Sequence, residues 1–362
     1  MYDDDRVKVA FIGSDGLPAR YGGWETFVEQ LGPKLVDKYK VLVIGSASDR
    51  ASVTAVYRGV NCVNLPLKAH GVSSLFFDFF SIIYCIITRQ KHIVMLGSAT
   101  ALFLPFFKPF LGRVYVNVDG VEWRRDKWGW VARALLKLSE KIAVKWSDVV
   151  IADNLGIEDF IKNNYAPNKL VMIPYGGDHS LENDQAGELP ISKEEIQQSF
   201  LSICRIEPEN NVELILKSFV QTKKNIIFVG NWQNSEYGRS LVRRFDKYKN
   251  LKLIESVYDK GSLYTLRSLC LGYVHGHSAG GTNPSLVEIM FHKKLILAFD
   301  CSFNRYTLNN SGVFFHDQRS LVCQLSNYEA QIQLADAAFK FARQNYTWKK
   351  ISSQYDNMIS RD

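Results

Sequence analysis

Short, nearly unbroken apolar runs recur along this chain. Each is followed by a polar, glycine-bearing stretch and then by a segment with apolar residues at helical spacing. Val7 to Gly13 is the first run and Ser14 to Gly23 the polar loop after it; Trp24, Phe27, Val28, Leu31 and Leu35 then fall on one helix face. Strand, glycine loop, helix is the opening of a Rossmann-like unit. The pattern predicts further strands at Lys40 to Gly45, Val60 to Leu65, His92 to Leu96, Arg113 to Val118 and Asp148 to Ala152, with helices at Leu75 to Thr88 and Ala132 to Trp146. Apolar runs alternating with helices argue for a parallel sheet covered on both faces.

The series restarts further on. After Leu170 to Pro174 comes Tyr175-Gly176-Gly177-Asp178, then a polar stretch to about Ile191, which places a domain junction at 178. Phe200 to Cys204 then reads as a strand, Arg205 to Asn211 as a loop, Val212 to Thr222 as a helix and Ile226 to Gly230 as a strand. Leu251 to Leu253, Leu271 to His275 and Leu295 to Phe299 continue that sheet, and the tail from Ala330 to Ile359 is helical. The expected fold class is α/β, with Rossmann-like domains over 1–178 and 179–362.

Composition agrees. A chain of 362 residues is too long for one ordinary core, and 46% hydrophobic with 22% charged residues is globular. The net charge of +7 favours anionic partners: nucleotide phosphates, an acidic membrane surface or nucleic acid. The six cysteines show neither metal-ligand spacing nor a disulfide framework, which points to a reducing cytoplasm. The opening Met1-Tyr2-Asp3-Asp4-Asp5 is acidic and unlike a signal peptide. The most apolar segment, Leu75 to Ile87, contains Asp78 and is shorter than the ~20 residues a membrane span needs.

The richest chemistry lies between the strand ending at His275 and the apolar helix face Leu286, Val287, Ile289, Met290. Gly280-Gly281 lets a ligand approach the backbone, Thr282 follows, Asn283 suits an N-cap and Pro284 the first helical position. The helix start suits phosphate, and Glu288 one turn in suits a sugar or ribose hydroxyl. His277 reads as a residue of this site and His275 as structural. In the first domain, Gly22-Gly23 opens a helix as a second phosphate or substrate seat, or as a plain turn, without the G-x-G-x-x-G spacing of a dinucleotide site. Arg205 follows a strand and suits bidentate pairing with a diphosphate, or a structural ion pair. Asn231 sits at another strand end on the ligand-facing rim, where it reads as approaching a nucleotide or as part of a surface loop. Asp119 and Glu122 follow the strand ending at Val118 and could orient or deprotonate a hydroxyl, with capping as the alternative for Asp119. The run Trp123 to Trp130, with Arg133 and Lys137, interleaves tryptophan and basic residues. It fits an anionic membrane interface, nucleic-acid bases or a solvated face.

The segment 276–288 is similar to the donor loop of retaining glycosyltransferases of the GT-B fold, the large family four in particular. Many members carry two glutamates with seven residues between them. Glu288 stands at the second, the usual ribose anchor, and Gly280 at the first, so that carboxylate is missing here. Gly280 to Leu286 and the loop Gly13 to Thr26 also resemble a subgroup of bacterial surface-polysaccharide rhamnosyltransferases. The family's arginine matches Arg205, whereas its lysine five positions later is Asn210; its histidine near the reacting sugar is Asp119.

The resemblance implies a GT-B architecture with parallel sheets facing across a cleft and a last helix, about 330–359, crossing back to the N-terminal domain. It implies transfer with retention of L-rhamnose from dTDP-L-rhamnose to a saccharide on an undecaprenyl-diphosphate lipid. No bound cofactor or metal is expected, and no nucleic-acid partner. The donor would be held by Arg205, Asn231, His277, Gly280, Gly281, Thr282, Asn283 and Glu288; Arg205, Asp119 and Glu122 would serve the chemistry; Gly22, Gly23, Glu25 and Asp119 would face the acceptor. The enzyme would work in the cytoplasm against the anionic inner face of the membrane. Two rivals stand beside this: a sugar-nucleotide epimerase on the same fold, and a non-enzymatic membrane- or nucleic-acid-binding module.

Overall fold

The computed structural model describes residues 5–20, 22–47, 55–69, 73–118, 120–124, 129–182 and 188–361. The chain divides into two compact units, Met1–Pro174 with Trp348–Asp362, and Tyr175–Thr347. The division falls between Pro174 and Tyr175, where the sequence pattern suggested 178. The helical tail is two helices, Leu334–Asn345 in the second unit and Trp348–Ser360 in the first.

The first unit contains β1 (Val7–Ile12), β2 (Tyr39–Ser46), β3 (Ala55–Tyr57), β4 (Val60–Leu65), β5 (His92–Leu96), β6 (Arg113–Val118), β7 (Val149–Ala152) and β8 (Leu170–Met172). They form one sheet in the order β3-β4-β2-β1-β5-β6-β7-β8. Every pair is parallel except β3 with β4. Val9, Ala10, Phe11 and Ile12 on β1 are wholly buried, as a strand covered on both faces must be. The antiparallel edge strand β3 is three residues long, too short for its apolar residues to stand out in the sequence.

Trp348–Ser360 closes this unit. Phe27, on the helix Gly23–Leu31, packs edge-on against Trp348 and Tyr355 at 5.8 and 5.6 Å between centroids. Asp356 accepts a 2.8 Å hydrogen bond from Tyr39 and pairs with Lys38.

The second unit contains β9 (Ser199–Ile203), β10 (Asn225–Val229), β11 (Leu251–Ile254), β12 (Gly272–His275), β13 (Ile296–Phe299) and β14 (Val313–Phe315), ordered β11-β10-β9-β12-β13-β14 and all parallel. Side-chain alternation divides its core in two. Phe200, Phe228 and Val274 point to one face, against Phe219 and Leu321. Leu201, Ile227, Val229 and Tyr273 point to the other, against Leu286, Ile289 and Met290.

Candidate functional site

In the second sheet the strand order reverses between β9 and β12. Loops leaving the carboxyl ends of strands at such a reversal are where open α/β sheets bind ligands. The loop after β9 carries Arg205 and the loop after β12 carries His277 to Asn283. The two are tied together. The Asn211 side-chain amide donates to the Gly276 carbonyl at 2.8 Å. The Ser278 N–H and hydroxyl both donate to the Glu209 carbonyl, at 3.0 and 2.8 Å. A Cβ on Gly276 would lie 2.1 Å from the Asn210 carbonyl oxygen, so only glycine allows this approach.

Asn210, which stands where a lysine was expected by resemblance, is buried and donates to the Arg205 carbonyl at 2.7 Å, closing the turn. Asn231 accepts the Ile206 N–H at 2.8 Å, so its side-chain oxygen braces the Arg205 loop. The Arg205 side chain is 45% exposed, with Glu207 3.9 Å from its Nε, a geometry that leaves the guanidinium reachable from solvent.

In the second loop, Gly280 has φ +119°, a conformation that disfavours any side chain. Asn283 caps the helix Pro284–Met290, accepting the Ser285 N–H at 3.1 Å, and Thr282 is buried beside it. The His277 carbonyl accepts from Asn304 at 2.8 Å, and its ring stacks on His275 with centroids 4.5 Å apart. Burial pushes the His275 pKa down to about 3, so that ring is neutral.

Glu288 is 8% exposed on the inner side of its helix. Arg267, 6% exposed on the helix Lys260–Leu269, hydrogen-bonds Oε2 through Nη2. His179 Nε2 lies 3.2 Å from Oε1. Burial alone would raise the Glu288 pKa; Arg267, then His179 and His292, outweigh it and hold the carboxyl below its usual range. His292 is wedged between the Ser268 hydroxyl and the Ser180 carbonyl, at 3.0 and 3.1 Å, and burial followed by Arg267 pushes its pKa down to about 3. Neither Arg267 nor His179 was singled out from sequence. The only signal for Arg267 is its place on the apolar stripe Leu263, Leu266.

In the first unit the loop after β1 lies at the corresponding reversal, between β1 and β5. A Cβ on Gly13, φ +94°, would lie 2.6 Å from the Leu96 carbonyl oxygen. Gly22 and Gly23 are exposed at the start of the helix Gly23–Leu31. Glu25 was expected to face an acceptor; instead it is buried and accepts the Arg20 N–H at 2.6 Å. One turn on, Glu29 accepts the Ala19 N–H and the Tyr57 hydroxyl, both at 3.0 Å. Two carboxylates at i and i+4 thus pin this loop, a spacing visible in the sequence. Asp119 lies outside the described residues. Glu122 is half-buried in the short turn Glu122–Arg124.

Within the basic, tryptophan-rich run, residues 125–128 lie outside the described residues. Trp123 is not a surface anchor. Its Nε1 donates to Glu140 at 3.2 Å, and Arg124 and Lys137 stack on its ring. The exposed apolar surface is formed elsewhere, by Trp130 (83% exposed), Val131, Leu135 and Leu138 on the helix Trp130–Trp146. Phe106 and Phe110 project nearby, as do Phe76 and Phe80 of the helix Ser74–Ile87. Phe79 joins these segments, its ring 5.4 and 5.5 Å from Phe103 and Phe107, and Ser139 donates to the Ser98 carbonyl at 2.6 Å. Among the described residues no helix is long and apolar enough to cross a membrane, and no group of His, Cys, Asp and Glu could hold a metal ion.

This architecture has solved counterparts. Sucrose-phosphate synthase from Thermosynechococcus elongatus superposes with a TM-score of 0.84 at 14% identity, over 98% of this chain and 99% of that one. The Anabaena protein HepE in complex with UDP-glucose gives 0.75 at 13% identity, over 99% and 100%. The catalytic domain of starch synthase IV from Arabidopsis thaliana, bound to ADP and acarbose, gives 0.70 at 14%, over 99% of each chain. The fold is GT-B. A family model described as a domain of unknown function (DUF1972) matches residues 6–178 of this GT-B chain. An uncharacterized glycosyltransferase, MJ1069 of Methanocaldococcus jannaschii, is 23% identical over 244 residues, 61% of this chain. The chain matches only 60% of that relative's length.

Proposed function

We propose that this GT-B protein is a glycosyltransferase that moves a sugar from a nucleotide sugar to a glycosyl acceptor. The observation that carries the reading is the pair of braced loops at the second sheet's strand reversal. There an accessible arginine, a backbone bare of side chains at Gly280 and Gly281, and a charged, buried Glu288 belong to one unit. A diphosphate suits Arg205 and a pentose hydroxyl suits Glu288. As the glycosidic bond to the leaving phosphate breaks, negative charge grows on the diphosphate, and Arg205 stabilises it. His277, Thr282 and Asn283 line the same loop, and Asn231 acts by holding the loop that presents Arg205.

The donor is dTDP-L-rhamnose, transferred with retention, and the acceptor is a saccharide on a lipid diphosphate. The loop bearing Gly22 and Gly23, with Asp119 and Glu122, serves the acceptor. The apolar surface around Trp130, Phe106 and Phe76, flanked by Lys141 and Lys145, supports a seat on anionic lipid. No metal or further cofactor takes part in this scheme.

The test is incubation of the purified protein with labelled dTDP-L-rhamnose or UDP-glucose, with and without lipid-linked acceptor. Label should enter the lipid only when acceptor is present, and faster from dTDP-L-rhamnose. Conversion of the sugar nucleotide without acceptor would make the protein an epimerase. Absence of nucleotide binding would leave a non-enzymatic surface-binding module.

A further inference from the structure

The buried charges behind the second loop lead one step beyond the ribose-anchor reading. A carboxylate has two oxygens, each with two acceptor positions. In Glu288 each oxygen faces one protein donor, Arg267 Nη2 at Oε2 and His179 Nε2 at Oε1. Among the described residues that leaves one position per oxygen, on two atoms of the same carboxylate. That pattern suits the hydroxyls of one pentose: a ribonucleotide can fill both positions, a deoxyribonucleotide one. The three residues come from three elements: the helix Pro284–Met290, the helix Lys260–Leu269 and the segment Asp178–Leu181. Only their packing can set this geometry.

We propose that Arg267 and His179 are the positioning residues of Glu288, fixing its carboxylate so that the remaining acceptor positions receive the free pentose hydroxyls of a nucleoside diphosphate, one in dTDP and two in UDP. The proposal rests on the reading of Glu288 as the pentose anchor. A purely structural role explains the arrangement less well. A buried ion pair adds little stability over a well-packed apolar pair, and removing one partner strands the other. The charged and titratable groups facing Glu288 are Arg267, His179 and His292. His292 is neutral and occupied by Ser268 and Ser180, so Arg267 is the permanent charge opposing burial.

The experiment is calorimetric titration of UDP and of dTDP between about pH 5.5 and pH 8.5. The proteins are the wild type, Arg267→Gln, His179→Phe, Glu288→Gln and the double variant Arg267→Gln/Glu288→Gln. Wild-type affinity should follow only the ionisation of the nucleotide's terminal phosphate, which every variant shares and which sets the reference profile. In Arg267→Gln the charge that most opposes burial is gone, so Glu288 takes up a proton as pH falls, and affinity should drop below the reference profile by up to about tenfold per pH unit. Glu288→Gln should bind weakly at every pH, and the double variant no more weakly than Glu288→Gln. His179→Phe should weaken binding several-fold. A merely structural arginine would produce no pH dependence that disappears in the Glu288→Gln background.

Wild-type affinity and the wild-type pH profile in both Arg267→Gln and His179→Phe, with Glu288→Gln weakened, would overturn the positioning role and leave the anchor standing. Wild-type affinity in Glu288→Gln would overturn the anchor, and the positioning role with it. If Arg267→Gln does not fold, the double variant, which strands no charge, and His179→Phe decide the same question.

Discussion

Asn211 holds Gly276 by a 2.8 Å hydrogen bond from its side-chain amide to the glycine carbonyl, and this contact joins the loops after β9 and β12. Asn211 itself has φ +51°, a left-handed conformation that asparagine tolerates better than most residues. Gly276→Ala would drive a Cβ onto the Asn210 carbonyl. We expect a loss of about 1–3 kcal/mol in chemical denaturation, together with loss of nucleoside diphosphate binding. Asn211→Ala should cost about 0.5–1.5 kcal/mol and weaken binding less. Normal binding in Gly276→Ala would mean that the loops act independently.

Arg205→Lys keeps the charge and loses the fork that matches a diphosphate. Because the side chain is 45% exposed, the melting temperature should stay close to wild type. Transfer rate and affinity for free nucleoside diphosphate should fall together, by roughly tenfold or more if a bidentate charged hydrogen bond is lost. A collapsed melt with normal binding in the folded fraction would make Arg205 a structural ion-pair residue.

Glu25 holds the loop after β1 through the Arg20 N–H. Glu25→Ala removes the acceptor of the Arg20 N–H. The expected cost is about 0.5–1.5 kcal/mol for one part-buried hydrogen bond. Transfer to the acceptor should fall while nucleotide affinity, which the proposed function assigns to the second unit, is kept. Equal loss of both would show that the loop serves the donor.

Asp78 is buried on the helix Ser74–Ile87 and accepts a 3.1 Å hydrogen bond from Thr100. Burial raises its pKa to about 7, with the Thr100 bond working weakly in the other direction. Between its ordinary range near 3.8 and about 7 the folded state binds the proton and the unfolded state does not. Stability from this residue therefore falls as pH rises through that window and levels off above it. Asp78→Asn should flatten the profile and stabilise the protein more at pH 8 than at pH 5. Denaturation midpoints at those two pH values measure it, and an equal change at both would show that Asp78 does not titrate in this window.

The surface around Trp130 should bind anionic vesicles reversibly. Replacing Trp130, Leu135 and Leu138 with serine should abolish co-sedimentation without lowering the melt, since all three are exposed. Replacing Lys141 and Lys145 with glutamine should weaken it by about 1 kcal/mol per lysine, an effect that salt removes. Trp123→Phe, by contrast, should lower stability, because that ring is tied to Glu140, Arg124 and Lys137. Equal binding to neutral vesicles would remove the electrostatic part.

The apolar pattern by itself determined the strands. Val60–Leu65, His92–Leu96 and Arg113–Val118 lie where the runs predict, because a strand buried on both faces must be apolar throughout. It also placed the cap at Asn283, which depends on the chain only two residues away. The edge strands β3 and β14 were not legible, since each is three residues long and is made by its neighbour's free edge. Side-chain commitments were hidden for the same kind of reason. That Glu25 turns back onto Arg20 and Asn231 onto Ile206 depends on where the loops lie once the sheets have formed. Most of all, Glu288 meets Arg267 and His179 across long stretches of sequence. Periodicity carries no information about such a meeting; the order of the strands, and the packing of helices on one face of the sheet, decide it.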